Sequence, residues 1–420
     1  MSDSSKKHHY VPQSILKRFS TDGAQKQLYV FDKARKTSFP SSIRDAGSEN
    51  HFNTLEVEGQ TISFEGLFQT NDDQLAILFK KIISDTSLAA LTADDRNTLL
   101  EVVGAQIVRT KLLRTTIRSI AEQLQASMRE AGIYAEEVNG FSIPTDQQIR
   151  RAALASILDL RAIIAGIQDK RLILFSNPAP MSLWISDNPV VVYNSLPYGE
   201  RGLSSPGVEI YFPISSELVL GLYCPSIERK IQQALSTDAP NFDREKYTNI
   251  YRALQDGEPV AINLATCRFY NSLQVLQSNR FLYAPKNDFA DAYDILKRNP
   301  EAQEVKSLIS VGKIGHAPPR RTRMPSGRWV VFYGKESHHI VKVEKWNENS
   351  DFIEFHTNDT AQLRNVLDDQ PLKQVVLFDD GNERRGMREV KIEVAEDDVT
   401  THVFISHEDE ALNRILRSVR

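Results

Sequence analysis

The hydrophobic period of this chain changes once, near Arg171, and that change limits the folds open to it. Upstream, apolar residues recur at helical spacing. Leu99, Val103, Ile107, Leu113, Ile117, Ile120 and Leu124 form one stripe without a proline among them, the pattern of a helix with one buried face. Thr92 is a good cap, and Asp94 and Asp95 suit the positive end of the helix dipole. The spacing therefore predicts a single helix from Thr92 to about Ala131. Pro144-Thr145-Asp146 caps a second, Gln147 to Gln168, and the short connection predicts that the two pack antiparallel. Downstream of Arg171 the pattern breaks into short apolar runs separated by Pro, Gly, Ser and Asn. These are Leu172–Phe175, Leu183–Ile185, Val190–Tyr193, Val208–Phe212 and Leu218–Tyr223. They read as one antiparallel sheet.

Shorter elements flank this pair of regions. Gln27–Asp32 alternates as a strand that Thr37–Ile43 can partner, and Phe64–Ser84 has helical spacing. Glu258–Gln277 reads as a helix, Phe281–Pro285 as a closing strand, and Asp288–Lys306 as a helix interrupted at Pro300. From Val305 to Lys335 there is no acidic residue, while prolines, glycines and basic residues accumulate, which marks a linker. Beyond it, Trp329–Tyr333 and Ile340–Trp346 read as a hairpin, Phe352–His356, Val375–Phe378 and Val390–Val394 as strands, and Asp359–Asp369 and Asp409–Val419 as helices. The fold class expected is α+β: a mainly helical first domain with an antiparallel β-rich insert, then a small α+β C-terminal domain. The domains expected are 1–312, a basic linker at 313–328, and 329–420.

Composition narrows the function classes. The chain has 420 residues and a net charge of -4, which argues against a protein that coats nucleic acid wholesale. Two cysteines, Cys224 and Cys267, make neither a disulfide framework nor a CxxC metal pair, and fit a reducing cytoplasm. No apolar leader follows Met1–Lys7. The longest apolar stretch, Ala152–Ile167, is broken by Asp159 and Arg161, so neither a membrane span nor a signal segment is expected. No Walker loop, GxSxG, HExxH or strand-linked GxGxxG is present.

What remains is a set of polar clusters. Lys7-His8-His9-Tyr10-Val11-Pro12-Gln13 runs directly into an amphipathic turn, and an imidazole near a helix N-terminus suits acid–base chemistry. Adjacent side chains point apart, so one histidine is expected to face substrate and the other to be structural. Gln106 and Arg109 are three apart on the long helix, hence on one face. A buried arginine needs a partner, either a carboxylate such as Asp187 or an anionic ligand, and both readings place Arg109 near Asp187. Asp187-Asn188-Pro189 is either a turn bonded to its own backbone or half of a site that orients a histidine and binds an oxyanion.

These residues together resemble a family. His8-His9-Tyr10-Val11-Pro12-Gln13, with Leu16 and Phe19, is similar to the signature of the domain of unknown function 4238 family. Gln106 and Arg109, Ser186-Asp187-Asn188-Pro189-Val190, Phe212-Pro213-Ile214-Ser215, and Asn271 with Asn279-Arg280-Phe281-Leu282-Tyr283 follow in the family's order. The resemblance covers about residues 6–285 and leaves out the C-terminal domain. No activity is settled for the family, so the resemblance implies where a site lies and not which reaction it runs.

The site expected from these observations has His8, His9 and Asp187 as catalytic residues. Tyr10, Gln13, Gln106, Arg109, Asn188 and Asn271 are its substrate-binding residues, and neither a metal nor a cofactor is assigned. The chemistry expected is hydrolysis of an anionic substrate by an intracellular protein. A phosphodiester or nucleotide is the favoured class, as in a nuclease, and a bacterial phage-defence setting fits it. Arg320, Arg321 and Arg323 are the candidate contacts to nucleic acid. The alternative is a non-catalytic binding or scaffold protein whose polar cluster is structural.

Overall fold

A computed structural model of the chain describes residues 7–21, 24–134, 138, 140–194, 202–205, 207–236, 243–309 and 311, with five strands between residues 329 and 406. The chain divides into two compact units, Met1–Ser195 with Glu200–Pro318, and Leu196–Gly199 with Pro319–Arg420.

In the first unit, β1 (Lys7–His9) leads through Pro12 into the short α1 (Gln13–Leu16) and one 3-10 turn. Proline is tolerated at that cap because the first N–H groups of a helix have no partner inside it. β2 (Gln27–Asp32) and β3 (Thr37–Ser42) pair antiparallel, as the alternation implies. β4 (Ser48–Asn50) pairs with β1, and β5 (Thr54–Val57) with β6 (Gln60–Ser63). α2 (Glu65–Asp85) follows.

The expected single helix 92–131 is two helices, α3 (Ala93–Val108) and α4 (Lys111–Glu130). Thr110 takes up extended dihedrals (φ -79°, ψ 161°) and becomes the cap residue of α4. Threonine favours a cap over a helix interior, and the hydrophobic stripe runs through the break without recording it. At the other end Thr92 and Asp95 form the reciprocal capping box, and Lys81 of α2 bonds Asp95 at 2.7 Å. The expected helix 147–168 likewise divides, into α5 (Asp146–Leu158) and α6 (Arg161–Ile167), at Asp159.

The β-rich region builds two sheets where the sequence reading has one. β7 (Arg171–Ser176), β9 (Val191–Asn194), β10 (Val208–Pro213) and β11 (Leu218–Tyr223) are antiparallel neighbours. Between β7 and β9, β8 (Ile185–Ser186) leaves for the other sheet. The chain continues through α7 (Pro225–Leu235) and α8 (Arg244–Asp256) to β12 (Val260–Ala261), which pairs parallel with β7. β12 occupies the start of the expected helix 258–277, so α9 (Leu264–Gln277) begins only after its cap Asn263. β13 (Phe281–Ala284) then joins β2 and β8, giving the order β3-β2-β13-β8, and α10 (Ala290–Arg298) follows.

β10 and β11 are buried at every position, so the larger sheet is covered on both faces. Strand alternation divides the side chains. Ile210, Phe212, Leu220 and Leu222 join the core with α2 and α3, while Tyr211, Val219 and Tyr223 join the core with α7, α8 and α9.

In the second unit, β14 (Trp329–Gly334) pairs antiparallel with β15 (His339–Lys345) and parallel with β16 (Val375–Asp379). β17 (Met387–Glu393) pairs antiparallel with β18 (Thr400–Ser406). The expected linker 313–328, with Arg320, Arg321 and Arg323, and the expected elements at 352–356, 359–369 and 409–419 lie outside the described residues. Among the described residues no helix is long and apolar enough to cross a membrane.

Gly257 closes α8 in the left-handed region (φ +78°), and its carbonyl accepts the Leu88 N–H at 2.8 Å. A Cβ there lies 2.7 Å from the Ala89 nitrogen. Gly257→Ala therefore combines backbone strain with a clash against main chain, and urea unfolding is expected to show a loss of about 2 kcal/mol or more.

Candidate functional site

The opening segment is held by main-chain bonds on every side. β1 pairs with β4 in the register His8↔Glu49 and His9↔Ser48. The Tyr10 and Val11 N–H groups both donate to the Gly47 carbonyl, at 2.9 and 3.2 Å. The carbonyls of the same stretch point toward α3. Arg109 Nη2 donates to the His9 carbonyl at 2.7 Å and Gln106 Nε2 to the Tyr10 carbonyl at 2.9 Å. Arg109 sits over the Phe68 ring at 4.7 Å and pairs with Asp72. The partner expected for Arg109 is a carboxylate such as Asp187 or an anionic ligand; it is the carboxylate of Asp72, carried on α2 one turn beyond the phenylalanine that covers the guanidinium. Burial pushes the Asp72 carboxyl up, against the pull of Arg109.

Alternation along β1 separates the two histidines. His8 is 1% exposed, and its Nδ1 accepts the Asn53 N–H at 2.9 Å. Glu65 lies 3.7 Å from the same nitrogen. A nitrogen that accepts an N–H carries no proton, so the pair is not a salt bridge. His8 Nδ1 is thus committed to the main chain of Asn53. His9 donates its own N–H to Glu65 at 3.4 Å, and its ring lies within hydrogen-bonding reach of the Ile43 and Arg44 backbone. The ring is 8% exposed, and Nε2 has no hydrogen-bond partner. A ring proton on Nδ1, toward the Ile43 and Arg44 backbone, would leave Nε2 as a lone pair. Burial, together with the Arg109 charge, holds the imidazole below its ordinary value, while Glu65 opposes the shift.

Asp187, Asn188 and Asn271 do different work. Asp187 is 1% exposed, and its carboxylate accepts the N–H groups of Asn279, Arg280 and Phe281 at 2.8, 2.7 and 2.8 Å. Burial raises its pKa, and those donors with Lys33 pull it back. Asn271, Gln274 and Gln277 recur every third residue, so they share one face of α9. Asn271 bonds Trp184 N–H and the Ser182 carbonyl, Gln274 bonds the Pro189 carbonyl, and Gln277 bonds both main-chain groups of Val192. Asn188 donates to the Gln277 carbonyl at 3.0 Å. This row supplies the partners that the irregular stretch 182–192 lacks in the sheet. Buried Lys33 closes the end of α9 on the Val275 and Ser278 carbonyls, and burial brings its pKa down to about 8.

The expected three-way contact of histidine, Arg109 and Asp187 is therefore met in part. Arg109 meets the opening segment, through the His9 carbonyl. The carboxylate of Asp187 bonds the turn at 279–281 instead, because three adjacent N–H groups there need an acceptor. The Tyr10 and Tyr283 phenols meet between the halves, and Tyr283 accepts the Gly47 N–H at 3.1 Å. Both phenols are buried, and burial raises both pKa values.

An open cleft of about 590 Å³ lies between this segment and α2. His9 and Gln13 are the expected site residues that line it; Ser14, Glu65, Asp72 and Asp73 are lining residues that the sequence reading misses. The signal was present as Glu65, Gln69, Asp72 and Asp73 at one-turn and two-turn spacing, but a polar stripe of that kind reads equally as a solvated face. Ser14 Oγ, like His9 Nε2, has no hydrogen-bond partner. Among the described residues no group of three or more His, Cys, Asp or Glu is placed to hold a metal ion.

A family model described as "Protein of unknown function (DUF4238)" matches residues 7–288. No curated protein and no solved structure matches the chain.

If Asp187 is the structural acceptor that this geometry describes, Asp187→Ala strands three N–H groups, one buried and two part-buried. The variant is expected to lose about 3 kcal/mol or more in urea unfolding. A change under about 0.5 kcal/mol contradicts the assignment.

Proposed function

The chain belongs to the DUF4238 family of unknown function, and on that premise we propose that it is a hydrolase whose proton acceptor is His9. One observation carries the reading: a buried imidazole with both backbone groups clamped, whose Nε2 has no partner, in the wall of an open cleft. A buried lone pair without a partner is a standing cost of about 1–3 kcal/mol. Function explains why such an atom is kept. In this role Nε2 takes a proton from water or a substrate hydroxyl while the oxygen attacks the electrophilic centre, and the ring returns the proton to the leaving group. Gln106, Arg109 and the β4 pairing position the ring and do not touch substrate.

A binding protein without chemistry is the second reading. It is favoured by the engagement of Gln106, Arg109, Asp187, Asn188 and Asn271 in main-chain hydrogen bonds, which leaves His9 alone of the expected catalytic residues in the cleft wall.

His9→Gln keeps the main-chain bonds and removes the titratable ring. Wild type and variant are compared on ester, amide, phosphodiester and nucleotide substrates, with and without divalent metals. Turnover is expected to fall about a hundredfold or more, with stability unchanged to within about 1 kcal/mol. Equal turnover in wild type and variant contradicts catalysis, and inactivity on every substrate favours the binding protein. The pH profile carries a second expectation. Turnover needs neutral His9, and burial with Arg109 depresses its pKa. Activity therefore persists as pH falls below about 6.5, the ordinary imidazole value, and is lost only at the lower pKa of the ring.

A further inference from the structure

The charge of the cleft names a ligand class. Its lining holds the carboxylates of Glu65, Asp72 and Asp73 and no lysine or arginine. Arg109 neutralises Asp72 from behind. Among the described residues no ion pair involves Asp73, which is exposed on the next position of α2. Glu65 gives its oxygens to the His9 N–H and to Asn53 Nδ2 at 2.9 Å, neither of which carries charge. The wall thus keeps two uncompensated negative charges. Eight residues of helix separate Glu65 from Asp73, about 12 Å along the axis, and their directions lie within one helical face.

Acidity alone is common on protein surfaces. Here it coincides with two buried polar atoms on lining residues that have no partner, His9 Nε2 and Ser14 Oγ; two others, Gln106 Oε1 and Arg109 Nε, lie on residues outside the lining. With the ring proton on Nδ1, Nε2 is an acceptor that asks for a donor. A group that is both positively charged and an N–H donor answers both requirements. We infer that the cleft binds a small organic cation bearing a primary ammonium or guanidinium group. The ligand donates one N–H to His9 Nε2 while its charge lies along Glu65 and Asp73. The ligand is organic because the donors do not converge as a metal site does, and it is of small-molecule size because about 590 Å³ lies within the range of ligand cavities.

This inference rests on the same cleft as the hydrolase reading but fails separately from it. It concerns binding, so a cation that binds and is not turned over leaves it standing. Turnover of a neutral or anionic substrate with no cation bound removes it alone.

Calorimetry on the full chain, with butanediamine, agmatine and spermidine as probes and butanediol as the neutral isostere, provides the test. The amines are expected to bind and the diol not to bind. Asp73→Asn changes an exposed side chain outside the histidine network and is expected to weaken amine binding about fivefold. Gln69→Glu adds a carboxylate to the same face and is expected to strengthen it by a similar factor. Absence of amine binding by the wild-type chain overturns the inference. So does equal binding of the diol, or amine affinity that neither substitution moves.

Discussion

A guanidinium buried at the end of α3 fixes the arrangement on which the cleft depends. Arg109 bonds Asp72 of α2 and the His9 carbonyl of β1, and Phe68 covers it. Removing either partner leaves a charge with too little compensation, so three separate segments are held in one geometry. The histidine is positioned through its main chain while Nε2 of its ring has no partner. A side chain that bonds backbone can orient a neighbour's ring without occupying it, and Gln106 does the same one residue further on.

The two halves of the motif set therefore separate by role. The Ser186-Asp187-Asn188 corner is held through Phe281 of β13 and Ser186 Oγ, and the residues flanking it, Ser182, Trp184, Pro189 and Val192, turn main-chain groups toward α9. α9 supplies them with Asn271, Gln274 and Gln277, and Asp187 returns the favour to the turn after α9. Residues of that kind look like site residues because they are polar, buried and specific in spacing. The same properties serve a structure whose backbone leaves the regular ladder. At the opening segment the accounting does not close: His9 Nε2 and Ser14 Oγ are left over on residues that line the cleft, and Gln106 Oε1 and Arg109 Nε on residues that do not.

How far the sequence reached follows from what each element depends on. The capped starts at Thr92 and Thr145, the β2–β3 pair and β13 rest on local chemistry, and they stand where the pattern places them. The division of the long helix at Arg109–Thr110 does not, since Thr110 leaves the helix while the apolar stripe continues across it. The transfer of Ile185-Ser186 to a second sheet was equally invisible, because strand runs do not name their partners. Gln106 and Arg109 were legible as a pair on one face next to the core. That the pair would grip carbonyls, with Asp72 as counter-ion, depends on α2, which is distant in sequence and reads as an ordinary amphipathic helix.

The central claim is that His9 is neutral and offers Nε2 as an acceptor at the cleft. Long-range proton–nitrogen NMR of the imidazole, with His9→Gln to assign the signals, measures it directly. At neutral pH the account predicts a protonated Nδ1 and an unprotonated Nε2, with pyridine-like nitrogen shift. A proton on Nε2, or an imidazolium at that pH, contradicts it.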